Sequence, residues 1–216
     1  MEKNGATVKN RSVNFNKLKI NKYMSAKVFI FMIIGFLLSR FTLVDNVAPF
    51  GIAFFLCFVK LDKYKLPVFI TTLLGILLSF NTFVNMTKYS IALVIVLLLS
   101  KKLKNVDSVA KISIIGTLII LPLSLGQAIY SNKNIYDYII VFMEGTLTFI
   151  SAYIFSYGIK FLINNKSKMY ISPEEVVSLS LLLSFSIIGI GDISFLGVSI
   201  RSVLATILIL IAAIIG

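Results

Sequence analysis

Eight apolar runs separated by short polar turns take up nearly all of this 216-residue chain. They extend from Ala26 to Val44, Val47 to Val59, Leu66 to Val84, Thr87 to Ser100, Ile112 to Tyr130, Tyr136 to Leu162, Pro173 to Ile190 and Ile193 to Gly216. A helix needs roughly 17 to 25 apolar residues to cross a hydrocarbon core about 30 Å thick, so most of the runs have the length of a span. Charged residues make up only 14% of the chain, where a soluble domain carries about 25%. The pattern predicts an all-α, polytopic transmembrane helical bundle of about eight spans over residues 26–216, behind a basic tail of residues 1–25. No room remains for a soluble domain.

The basic residues test this division independently, because Lys and Arg accumulate in cytoplasmic loops. With the N-terminus in the cytoplasm, the inner segments hold seven between Lys3 and Lys27, then Lys60, Lys63 and Lys65. The next two hold Lys101, Lys102, Lys104 and Lys111, and then Lys160, Lys166 and Lys168, giving seventeen of the 21. Outer segments hold Arg40, Lys88 and Lys133, and Arg201 lies within the last run. The net charge of +12 is thus explained by membrane topology, and no nucleic-acid partner is expected.

The second run, only thirteen residues, is read as a short crossing, its mismatch absorbed by local thinning and snorkelling lysines. Re-entry instead of crossing would reverse the charge alternation in every later loop. Pro49 fits the first helical turn after Asp45 and Asn46 as possible caps, because its missing N–H would have had no intrahelical partner there. Ser172-Pro173-Glu174-Glu175 combines a capping box with proline at the first helical position. Pro122 is expected to bend the fifth span, its freed carbonyl taken by Ser124 or a neighbouring helix. The last run stops without a polar tail, so the chain reads as the front of a longer protein.

Histidine is missing and Cys57 is the lone cysteine, which removes internal disulfides, His-metal sites and Ser-His-Asp triads. The chemistry left within the apolar runs is sparse. Arg40, Glu144 and Arg201 fall about 6, 12 and 12 Å from the outer surface by helical rise, and are expected to form an intramembrane polar cluster. Glu144 pairs best with Arg201, since Arg40 lies near enough to the surface to reach water alone. Tyr136-Asp137 and Gly189-Ile190-Gly191-Asp192 copy the YD and GxGD signatures of intramembrane aspartyl proteases. Both aspartates sit beside polar turns, and caps are the simpler assignment. Tyr89, Tyr130, Tyr136, Tyr138 and Tyr170 mark span ends, as interfacial aromatics do.

Two stretches resemble one known family together. Ser39-Arg40 with Ala48-Pro49-Phe50-Gly51-Ile52-Ala53-Phe54 is similar to the start of the membrane region of stage II sporulation protein E of spore-forming Firmicutes. Ile171 to Leu179, followed by Gly189-Ile190-Gly191-Asp192 and the Arg201 run, resembles a later part of it. The resemblance covers residues 25 to 216 and implies about ten spans in the parent. It implies next a cytoplasmic segment that meets the division machinery, then a manganese-dependent PP2C-type serine phosphatase domain. That enzyme would dephosphorylate an anti-anti-sigma factor to activate the forespore sigma factor, while the membrane part sets its place at the septum.

For this chain the resemblance leaves anchoring, septal localisation and self-association in the plasma membrane, with the bilayer and division or septal proteins as partners. No catalytic, cofactor or metal residue is assigned within it; manganese belongs to the phosphatase domain. The alternatives are a small transporter or its substrate-binding membrane component and, more remotely, the aspartyl protease. A transporter should enclose a midplane cavity with convergent polar groups, whereas an anchor should pack closed with its charges paired.

Overall fold

The computed structural model describes residues 26–43, 47–80, 82–106, 108–130, 134–163, 171–191, 194–195 and 198–215. Among them are eight helices: α1 (26–40), α2 (Phe50–Phe58), α3 (Asp62–Ser79), α4 (Phe83–Leu103), α5 (Val109–Tyr130), α6 (Ile135–Ile163), α7 (Pro173–Gly189) and α8 (Ile200–Ile215). A small antiparallel hairpin of β1 (Ser194–Phe195) and β2 (Val198–Ser199) joins α7 to α8. By length and composition, α4, α5 and α6 are each able to cross a membrane.

The shortest helix forms the centre. Its sequence, FGIAFFLCF, is apolar all round, and a helix without a polar face has to be buried on every side. Every residue of α2 except Cys57 is buried. Phe50 lies between Phe41, at 4.7 Å between ring centres, and Phe185 of α7, at 4.8 Å. Phe54 and Phe58 continue the same face at i+4 and i+8, and Phe58 meets Phe31 of α1 edge-on at 4.9 Å. Such ring pairs add about 0.5–1.5 kcal/mol each beyond area burial. The thinning expected around a short crossing therefore has no cause here, because α2 faces protein and not lipid. Bilayer mismatch acts on surfaces that lipid touches.

Close approach fixes α1 against its neighbours. A Cβ on Gly75 of α3 would lie 2.5 Å from the Phe36 carbonyl oxygen, and one on Gly189 of α7 would overlap the Leu37 carbonyl. Small residues of this kind let backbones meet where packing, not water, drives helix association. Several buried hydroxyls are satisfied within their own helices: Ser39 donates to the Gly35 carbonyl at 2.7 Å, and Thr148 to that of Glu144 at 2.8 Å.

The helices run alternately between two ends of the bundle. At one end Lys27 of α1 donates to the Leu162 carbonyl of α6 at 2.8 Å, and Lys65 of α3 reaches Ser100 of α4 at 3.2 Å. Lys104, just past α4, meets Asp62 at the start of α3. At the other end Ser79 of α3 donates to the Arg40 carbonyl at 3.2 Å, while Gln127 of α5 donates to Asn85 of α4 at 2.7 Å. The Tyr89 hydroxyl of α4 accepts there from the Ala48 N–H at 2.8 Å. Lysines far apart in sequence are thus gathered at one end.

Candidate functional site

Three helices carry polar residues at helical spacing near the end opposite those lysines. Asn85 and Lys88 lie on α4, Ser124 and Gln127 on α5, and Asp137 and Glu144 on α6; residues three, four or seven apart share a helix face. With Val47 they line a polar pocket of about 50 Å³. Glu144 is only 1% exposed. Its Oε2 accepts from the Ser124 hydroxyl at 2.7 Å and from the Lys88 ammonium at 3.0 Å. Its Oε1 is buried without a hydrogen-bond partner. The Lys88 ammonium also lies 4.5 Å from the centre of the Tyr89 ring, and that ring stacks on Phe80 at 5.0 Å.

The chemistry of this arrangement is charge neutralisation. A carboxylate in a low-dielectric interior is costly unless a cation and further hydrogen bonds compensate it. Lys88 supplies the cation and Ser124 a hydroxyl, each from a different helix, so the pair ties α4, α5 and α6 together at Glu144.

This corrects the expected cluster of Arg40, Glu144 and Arg201. Glu144 pairs with Lys88, not with Arg201. The reason is where α4 starts: at Phe83, ahead of the apolar run, so Lys88 stands inside a helix and points into the bundle instead of lying in an outer turn. Arg201 is the second residue of α8, which packs on α7 and β2. Arg40 closes α1, with its guanidinium 5.8 Å from the Phe36 ring centre and near Gly191, whose φ is +75°. In that left-handed region a side chain would be strained, so glycine suits the turn out of α7.

Pro49 occupies the N-cap position of α2, and its carbonyl accepts the first helical bond, from Ala53 N–H at 2.9 Å. Asp45 and Asn46 lie outside the described residues. Pro122 sits within α5, which continues through it. The Ser124 hydroxyl goes to Glu144 and not to the carbonyl freed by the proline. Ser172 caps α7 in a full capping box with Glu175, Pro173 being the first helical residue.

Asp137 accepts from the Asn134 N–H at 3.1 Å, the bond of a helix cap. Asp192, its partner in the protease pattern, lies outside the described residues. Among those residues no three acidic or thiol side chains stand close enough to share a metal ion. Tyr130, Tyr136 and Tyr138 are exposed, but Tyr89 is 1% exposed and belongs to the core, not to an interfacial belt. Tyr170 lies outside the described residues.

Lys88, Ser124, Asn85 and Gln127 are members of the site that no sequence motif singles out. The available signal was the spacing itself, Asn85/Lys88, Ser124/Gln127 and Asp137/Glu144, three polar stripes on helices otherwise apolar.

No solved structure matches the chain. Stage II sporulation protein E of Bacillus subtilis strain 168 is 23% identical over 198 residues, a stretch that covers 88% of this chain and 23% of the relative. The chain thus spans less than a quarter of that relative's length. The family model described as SpoIIE, N-terminal domain, matches residues 1–216. A bundle with three membrane-length helices, matched to that model from its first residue to its last, belongs to the SpoIIE N-terminal domain family, a family of sporulation-related membrane domains.

Proposed function

We propose that this chain is the membrane anchor of a sporulation serine phosphatase, holding the enzyme at the asymmetric septum. The phosphatase domain, of the manganese-dependent PP2C type, would lie beyond these residues in sequence. It would act on an anti-anti-sigma factor to release the forespore sigma factor. The chain itself supplies position and self-association, with its N-terminal tail and lysine-rich end in the cytoplasm and eight passes through the plasma membrane. The family match across all 216 residues is the observation that carries this reading.

Packing supports an anchor over a transporter. The centre of the bundle is filled by α2, and the pocket beside Glu144 holds only about 50 Å³. Its carboxylate is already met by Lys88.

Two experiments test the proposal. Reading the frame downstream should reveal two further spans and then an Asp-rich soluble domain; an immediate stop codon would remove the enzyme from the scheme. A fluorescent fusion of residues 1–216 should concentrate at the septum during sporulation. Uniform labelling of the whole cell membrane would leave an anchor without a localising role.

A further inference from the structure

At the lysine-rich end a crevice opens between the end of α2, the start of α5 and the end of α6. Leu56, Ile112, Ala152, Ile159 and Ile163 give it apolar walls, and its volume is about 180 Å³. A dry apolar cavity of about 150 Å³ holds a benzene-sized guest, so the crevice has room for a length of hydrocarbon. Two cations stand on its lining, Lys60 from the turn after α2 and Lys160 from the last turn of α6.

Neither lysine forms an ion pair among the described residues; the pairs at this end join Lys65 and Lys104 to Asp62. The Lys160 ammonium lies instead 6.0 Å from the centre of the Tyr157 ring. The crevice therefore offers two uncompensated positive charges beside an apolar slot. In a bilayer, the molecule that carries a negative head and a hydrocarbon tail on one frame is an anionic phospholipid. Basic pockets between membrane helices recognise such head groups through the same chemistry.

We propose that this crevice binds one anionic phospholipid, its phosphate between Lys60 and Lys160 and part of one acyl chain against Leu56, Ile112 and Ile159. The proposal requires only that the bundle sit in a membrane, so it stands or falls separately from the septal anchor. Its test is native mass spectrometry of the full chain released from detergent, with phosphatidylglycerol and phosphatidylcholine offered at equal concentration.

Phosphatidylglycerol should be retained in preference to phosphatidylcholine. Lys60→Gln/Lys160→Gln should weaken that retention roughly 30-fold, at about 1 kcal/mol per lysine, and Lys60→Arg/Lys160→Arg should preserve it. Lys101→Gln/Lys102→Gln, two exposed lysines at the end of α4, should leave it unchanged. Equal retention of the two lipids, or equal loss in the Lys101/Lys102 variant, would overturn the proposal. So would inorganic phosphate displacing the lipid at matched concentration, which would assign the lysines to a free anion.

Discussion

Glu144 and Lys88 are worth more to each other than to the fold as a whole, and this makes the pair testable by subtraction. Lys88→Met leaves a carboxylate only 1% exposed with neutral hydroxyls and no cation beside it, and breaking a buried pair from one side costs about 3–5 kcal/mol. Removing both charges, in Lys88→Met/Glu144→Leu, should recover most of that loss, because an apolar pair of similar volume is often neutral or stabilising. Denaturant unfolding in mixed micelles, followed by circular dichroism, measures both variants. A double variant no better than the single one would give the pair a role beyond neutralisation. Glu144 could be read from the sequence, since an acid inside an apolar run is conspicuous. Its partner could not, because the apolar runs give Phe83 and Val84 to the third segment and start the fourth at Thr87, which sets Lys88 at the outer surface and not a turn deep in α4.

At the scale of elements, α2 shows that a short apolar run does not define what surrounds it. The thirteen-residue run from Val47 to Val59 was legible as a helix, and Pro49 as its start, because both depend on local backbone chemistry. That lipid never reaches it depends on six other helices, which no local pattern records. The grip on α1 is equally non-local. Gly75→Ala should gain about 1 kcal/mol of helix propensity, yet the new methyl would lie 2.5 Å from the Phe36 carbonyl. The variant is expected to melt at a lower temperature than the parent; a higher melting point would show that α1 and α3 can part freely. The charge tie between the start of α3 and the end of α4 responds to acid. The Lys104 hydrogen bond and charge, helped by Lys65, hold the Asp62 carboxyl below its ordinary value. A group so depressed contributes its full stabilisation above the unfolded pKa and loses it as pH falls through the folded one. The tie between Asp62 and Lys104 should therefore open in acid and hold at neutral pH. In a carboxyl-carbon NMR titration, Lys104→Gln should move the Asp62 midpoint upward.

For the whole molecule, the charge alternation in the sequence and the gathering of lysines in the structure are separate facts with one physical meaning. Lys27, Lys60, Lys65, Lys104 and Lys160 come from four different gaps of the chain, yet meet at one end of the bundle. Moving that many cations across a bilayer during insertion is opposed by the cost of each, so the end that holds them is expected on the side of synthesis. Residues at the opposite end, such as Tyr130, would then face outward. In a Cys57→Ser background, Lys102→Cys and Tyr130→Cys can each be exposed to a membrane-impermeant maleimide. Tyr130→Cys should label in intact cells and Lys102→Cys only after permeabilisation. Labelling of both from one side would mean that α5 does not cross, since these positions flank it directly. A crossing lost there would reverse every later segment, placing Lys160 on the side opposite Lys60 and breaking up the proposed lipid crevice. The result at these two positions therefore bears on the direction of the whole chain, not on one helix.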